Sequence, residues 1–385
     1  MRAARAVMRR RLGHASSTDA SVRDRQLVDQ AVSASQHGLP VGLAFPSTRP
    51  HSQPADRKLA RLSSQDIAGI GEETVELIRR ADPAASVELQ VQRSQEKLRL
   101  RNSAGGRAER TCTTLRMDVW VERHSDDDVL VVFDSLKTLR LDHAHRDLAA
   151  HIARRLTWAD KRVTVKPGRM PVILSPTAAA TLLQPLVLAF SGARVHGKSS
   201  PLAGKLGQRL FDARLTMVDD GTLTDRPGGT FDHEGVSTQQ TPLIQDGVVA
   251  GYYYDLQSAA QVGAPSTGNG QRDLLSPPQS QPSNITVKPG TTSLEAMLRQ
   301  AGDGLLVDLL LGASASTALR GTFSRTVLLG YKIEQGRIAG YVKGVALAGN
   351  LYEMLHDVQA ISDTGDWSGD IWSPYLLVKG VSISV

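Results

Sequence analysis

Hydrophobic positions keep no sustained period over the first 60 of the 385 residues, and Pro46, Pro50 and Pro54 mark a loop there. From Ser64 the pattern sharpens. Ile67, Ile70, Val75, Leu77 and Ile78 recur at helical spacing behind Ser64 as N-cap, which predicts a helix over Ser64–Arg80. Gly69 and Gly71 weaken it, at about 1 kcal/mol each. The period then falls to two. Val87, Leu89 and Val91 alternate with polar residues in Ser86–Gln92, and Lys97–Arg101, Thr113–Val121 and Val129–Asp134 continue as strands. Leu141–Leu156 returns to helix. The pattern gives an α+β domain over 61–165, preceded by a basic, poorly ordered arm over 1–60.

Residues 166–385 read differently. Val172-Ile173-Leu174 is a buried strand, and Ser175-Pro176 caps and opens a helix over Thr177–Phe190. That helix is apolar nearly all round, so it belongs in a core. Asp220-Gly221, Asp246-Gly247 and Gln335-Gly336 each lie between apolar runs as hairpin turns. Ser276–Pro282 is an exposed loop by its prolines. No repeat of roughly 20–50 residues is present. The fold class is α+β in two domains: a mixed N-terminal sheet domain, then a mostly antiparallel β domain with one buried helix.

Composition narrows the picture. Hydrophobic residues make up 41% of the chain. No run of about 18 uninterrupted apolar residues occurs, so a soluble protein with no membrane partner is expected. The net charge of +6 and pI near 9.5 owe much to Arg2, Arg5, Arg9, Arg10 and Arg11. Those first residues weakly resemble a transit peptide but lack an apolar core segment. No aromatic-interleaved basic strand supports nucleic-acid binding. Cys112 is the only cysteine, read as a small core residue, and a reducing, cytoplasmic setting fits.

Several groupings carry candidate chemistry. His143, Asp147 and His151 share one helix face with His145 nearby, but Arg140, Arg146, Arg154 and Arg155 would repel a cation, so a solvated face is expected. His233-Glu234 has no second histidine at zincin spacing, and Gly235 breaks the helix such a motif needs. Pro265–Gly270 is either a loop whose backbone N–H groups meet a peptide or phosphate, or a plain connection. Glu295, Asp303 and Asp308 form no carboxylate pair. Asp363, Asp366 and Asp370 read as a surface loop, since the bidentate Glu of a calcium loop is missing. Ser191-Gly192 lacks the flanks of a nucleophile elbow.

Three stretches in order resemble the TldD/TldE (PmbA) family. The first runs from Ser199–Leu210 through Val218–Gly221 to Phe231–Gly247. The second is Gly251–Asp255 with Pro265–Gly270, and the third is Gly340–Asn350. The likeness covers about residues 165–385, and the N-terminal domain looks shortened.

The resemblance implies a zinc peptidase in the active member. Two histidines of an HExxxH helix and a distal cysteine would hold the metal, with the Glu as general base. Here the matching positions are Gln184, Pro185 and Ala189; no His or Glu occurs in Thr177–Phe190, and Gly365–Ser373 holds no cysteine. Pro185 also removes a helical hydrogen bond, costing about 3 kcal/mol, so a kink is expected. The implied protein is a TldE-like, non-catalytic subunit of a peptide-cleaving assembly. It would bind no cofactor itself and would pair with a TldD-like zinc subunit in the cytoplasm. Asp232, Glu234, Gly235, Ser266, Thr267, Gly268 and Asn269 would line a peptide or interface cleft. The alternatives are a stand-alone hydrolase with an unrecognised site, or a nucleic-acid-associated accessory protein.

Overall fold

A computed structural model describes residues 1–48, 50, 57–125, 128–272, 276–311 and 319–385; part of the Pro46–Pro54 loop lies outside these. Arg2–Met8 and Arg11–Ser17 pair antiparallel as a hairpin, turned by Arg9 and Arg10 at φ 50° and 62°. Such a mirror-image turn matches the right-handed twist of its strands. The helix Asp24–Ser35 lies across the hairpin and buries Leu27 and Ala31. The crossing is tight because Gly13 has no side chain: a Cβ there would sit 1.9 Å from the Ala31 carbonyl oxygen. The expectation of a poorly ordered arm is therefore corrected for these elements. A glycine contact and two buried side chains hold them, a signal that hydrophobic periodicity does not register.

Next comes a three-stranded antiparallel sheet of Ser86–Arg101, Arg107–Ser125 and Asp128–Thr138. The two short strands expected over Ser86–Arg101 are one, because polar Arg93–Glu96 stay paired to Cys112–Leu115 without a break. The helices Ser64–Ala81 and Ala144–Trp158 cover one face, packing Ile78 and Ile152 in one core with the strand residues Leu115, Met117 and Val119. The first helix is capped one residue earlier than expected. Ser63 Oγ accepts from Asp66 N (3.1 Å) while the Asp66 carboxylate accepts from Ser63 N (2.7 Å), a capping box.

The larger sheet closes on itself. Gly168–Leu174 pairs with Gly304–Leu311, which pairs with Thr322–Glu334, then Val345–Asn350, then Ile371–Ser384, which returns to Gly168–Leu174. The first of these pairings is parallel and the other four are antiparallel. Arg337–Val342, Val358–Ser368, Ile285–Val287, Met217–Asp220, Gln240–Gln245 and Val248–Val249 extend it. Asp246-Gly247 (φ 49°, 81°) and Gln335-Gly336 (φ 48°, 74°) form the tight turns their sequence predicts. Asp220-Gly221 does not: Met217–Asp220 meets Gln240–Gln245 only after a long connection that carries the candidate site. Asp363 and Asp366 sit in a strand rather than a surface loop.

The apolar helix Pro176–Ala189 starts as predicted, with Ser175 Oγ accepting from Ala178 N (3.2 Å). It packs on Ile371–Ser384, Gly304–Leu311 and Val358–Ser368, burying Leu182, Leu183, Leu186 and Val187. Between the two sheets, the buried Arg155 guanidinium joins Asp134 (2.8 Å) and Asp308 (3.2 Å). Among the described residues no helix is long and apolar enough to cross a membrane.

Candidate functional site

The turn 231–235 and the loop 265–270 come together, and one carboxylate ties them. Asp232 Oδ1 accepts from Glu234 N and Val236 N (both 2.9 Å), while Oδ2 accepts from Gly270 N (2.8 Å). Gly270 must be glycine, since a Cβ would meet Glu234 Oε2 at 2.3 Å. Gly268 has φ +76° and a virtual Cβ 2.5 Å from the Ser237 carbonyl oxygen. Ser266 Oγ donates to Tyr254 O (3.0 Å), and Thr267 Oγ1 accepts from Tyr254 N (2.7 Å) and donates to Asn269 Oδ1 (2.5 Å). Asn269 Nδ2 donates to the Asp219 carboxylate, which also accepts from Ser283 N (2.8 Å) and Asn284 N (3.1 Å). The Gly235 carbonyl accepts from Thr48 Oγ1 (3.0 Å).

Glu234 is met from the N-terminal hairpin. Its side chain is 0% exposed, and Arg5 Nη1 lies 2.6 Å from Oε1 with Leu256 N donating to Oε2 at 2.6 Å. The Arg5 guanidinium also lies over the Phe45 ring, 5.5 Å from its centroid. Burial raises the Glu234 carboxyl, against the pull of Arg5. Burial pushes Asp232 up to about 7, helped by the neighbouring Glu234 charge and opposed by its three N–H donors. Burial likewise lifts Asp219 to about 7 against the Asn269, Ser283 and Asn284 donors. His233 goes the other way, down to about 4, through burial and then the Arg110 charge. Its Nδ1 accepts from Arg272 N (3.0 Å), and its Nε2 lies 3.3 Å from Arg110 Nη2.

The residues expected to line a cleft are thus adjacent, but Asp232, Glu234, Gly235, Thr267, Gly268 and Asn269 are buried, and polar atoms of Asp232, Glu234, Thr267 and Asn269 are met by groups within the chain. Their chemistry is bracing: buried acceptors fix two irregular loops on the ends of the sheet. Sequence reasoning missed Arg5, Asp219 and Arg110. Only the charge of Asp219-Asp220 next to a strand end, and Gly270 closing the Pro265–Gly270 motif, hinted at the network.

The matched metal positions do not share an open face. Gln184 is exposed, whereas Ala189 is 0% exposed and its carbonyl accepts from Ser200 Oγ (2.6 Å). Zinc takes thiolate, imidazole or carboxylate donors, and an amide, a proline ring and a methyl group do not fit it. Pro185 lies inside the helix Pro176–Ala189. Among the described residues no group of three or more His, Cys, Asp and Glu is placed to hold a metal. The expected solvated histidine face is partly internal. His145 is buried against Glu73 (3.2 Å), and His151 meets Asp366 (2.9 Å). Cys112 is half-buried and lines a cavity instead of the core.

A closed strand ring with a buried helix and this pair of braced loops defines a recognised class. The family model described as the PmbA/TldA metallopeptidase C-terminal domain matches residues 167–385, and the chain belongs to the TldD/TldE (PmbA) family. Among particular relatives, an uncharacterised protein of Methanocaldococcus jannaschii is 32% identical over 55% of this chain and 50% of its own length. A metalloprotease TldD homolog of Haemophilus influenzae is 30% identical over 53% of this chain and 43% of its own. The metalloprotease PmbA of Escherichia coli O157:H7 is 29% identical over 56% and 46%. The chain spans about half the length of the curated relatives it matches. The crystal structure of TldE from Thermococcus kodakarensis superposes with a TM-score of 0.86 at 26% identity, covering 99% of this chain and 89% of that one. A Thermotoga maritima structure shares the fold, with a TM-score of 0.89 at 19% identity.

Proposed function

We propose that the chain is a TldE-like, non-catalytic subunit that assembles in the cytoplasm with a TldD-like zinc subunit, which cleaves or matures peptides. The observation that carries this reading is the chemistry of the helix Pro176–Ala189. It offers no imidazole or carboxylate, and Gln184 and Ala189 face different surroundings. Zinc and the general base then belong to the partner. The likeness to a structure named TldE at 26% identity supports the choice of this branch. In the assembly this subunit contributes its rigid β framework, with the Asp232–Gly270 brace fixing the loops that would border the peptide.

The test is reconstitution with a TldD-like subunit that carries the HExxxH helix. Turnover of an unstructured peptide is followed for this chain alone, the partner alone and the mixture, with co-elution as the assembly readout. The reading expects a co-eluting complex whose turnover needs both chains. Turnover by this chain alone, or two chains that elute apart at micromolar concentration, contradicts it.

A further inference from the structure

A cavity of about 940 Å³ lies on the polar face of the three-stranded sheet. Strand register builds its floor. Gln92, Arg116 and Lys137 form one cross-strand row, Ser94 and Thr114 the next, Glu96 and Cys112 a third. Directly opposed residues share a face, so these side chains stand together while neighbouring Leu115 and Met117 point into the core. Pro227–Gly229 from the C-terminal region and Arg140–Asp142 beyond the third strand wall it in.

Its lining is cationic. Among the described residues that line it, Arg57, Lys58, Arg110, Arg116, Lys137 and Arg140 stand against Glu96 and Asp142. Arg116 is held by Asp118 (2.7 and 3.0 Å) and Lys137 reaches Asp370 (3.3 Å). Arg57 and Arg140 make no ion pair among the described residues. A concave surface with an excess of positive charge concentrates its field and draws in anions. Among the described residues no aromatic ring lines the cavity on which a nucleobase could stack. Hydroxyls and an amide from Ser94, Thr114 and Gln92 offer hydrogen bonds of the kind a peptide backbone uses.

We infer that this cavity binds an acidic segment of a polypeptide, its carboxylates met by Arg57, Arg140 and Arg116. The inference rests on the reading above only for the choice of polypeptide as the carrier of the carboxylates. Arg110 connects the cavity to the braced loops, because it also donates to the carbonyls of Gly228 and Phe231 (2.7 Å for the latter). An anion that competes for Arg110 therefore loosens the turn carrying Asp232 and Glu234.

Cys112 makes the experiment site-specific, since it is the chain's only thiol and lies in the cavity wall. Its alkylation by iodoacetamide is timed by mass spectrometry on the full chain, with and without hexaglutamate, hexalysine or a thymidine oligonucleotide of matching charge. Hexaglutamate is expected to slow alkylation about tenfold, hexalysine to leave it unchanged, and about 0.5 M salt to remove the protection. Arg57→Glu with Arg140→Glu, both at exposed positions, should abolish protection, while Arg25→Glu on the Asp24–Ser35 helix should keep it. No protection of the wild-type thiol overturns the inference, as does protection that survives the double reversal. Stronger protection by the oligonucleotide overturns it in favour of a nucleic-acid ligand. No partner subunit is present in the assay, so its outcome is independent of the assembly test.

Discussion

Arg5→Met strands the Glu234 carboxylate in a site where its side chain is 0% exposed. Removing one partner of a buried ion pair costs about 3–5 kcal/mol, because the remaining charge keeps its desolvation penalty. Two features set the value here at the lower end. The Leu256 N–H still donates to Oε2 at 2.6 Å, and burial already raises the Glu234 carboxyl, so it can escape by taking a proton. The sign of the pH dependence follows. Without Arg5 the folded-state carboxyl binds its proton more tightly than the unfolded one. The folded state is then favoured at low pH, and that advantage is lost as pH rises through the folded pKa. The penalty is therefore larger at pH 8 than at pH 5. The expected loss is about 3 kcal/mol at pH 8, with coupling to Glu234→Gln of about 2 kcal/mol in a double-mutant cycle. Urea denaturation supplies the global number. Amide hydrogen exchange over residues 2–17 supplies the local one, since the hairpin can open without the rest. A variant within about 0.5 kcal/mol of wild type, with unchanged exchange in the hairpin, would refute the buried pair as what docks the N-terminal strands.

Four further outcomes follow from the same structure. His233 should titrate near 4 by NMR. Because its folded pKa is depressed, its contribution to stability is complete above the unfolded value and is lost as pH falls from about 6.5 to 4, at up to about 1.4 kcal/mol per pH unit; His233→Gln should flatten that slope in denaturation curves. Gly268→Ala, at φ +76° and 2.5 Å from a carbonyl oxygen, should lower stability by about 2 kcal/mol or more, read from the shift in the urea midpoint. Arg155→Met leaves Asp134 and Asp308 facing each other without a cation and should cost about 3–5 kcal/mol by the same assay. Pro185→Ala restores a helix donor toward the Thr181 carbonyl and should raise the thermal midpoint, by an amount corresponding to about 1–3 kcal/mol.

Local chemistry was legible where one residue type decides one geometry. Ser175-Pro176 started its helix, and Asp246-Gly247 and Gln335-Gly336 took left-handed turns. The alternation of Val87, Leu89 and Val91 placed a half-buried strand. Non-local facts were not legible. The strand ring closes between residues as distant as Leu174 and Leu376, which no window of sequence reports. The N-terminal hairpin is held by Gly13 against Ala31 and by Arg5 against Glu234, a missing side chain and a charge, neither of which carries a hydrophobic period. The loops 231–235 and 265–270 were picked out by family likeness. That likeness could not say that Asp232 and Asn269 face inward, because burial of a polar residue depends on donors such as Gly270 N and acceptors such as Asp219 brought from elsewhere in the chain. Asp220-Gly221 misled because a turn dipeptide signals a reversal only when the next strand follows at once.

A TldE-like subunit leaves the zinc to its partner polypeptide. Metal content per chain, measured by inductively coupled plasma mass spectrometry on this chain purified alone and again as a complex with the HExxxH-bearing subunit, tests this. The account predicts far less than one zinc per chain in the first sample and about one per heterodimer in the second, lost when the partner's histidines are replaced. One tightly held zinc per chain in the protein purified alone, removed by changing residues 184–189, would contradict it.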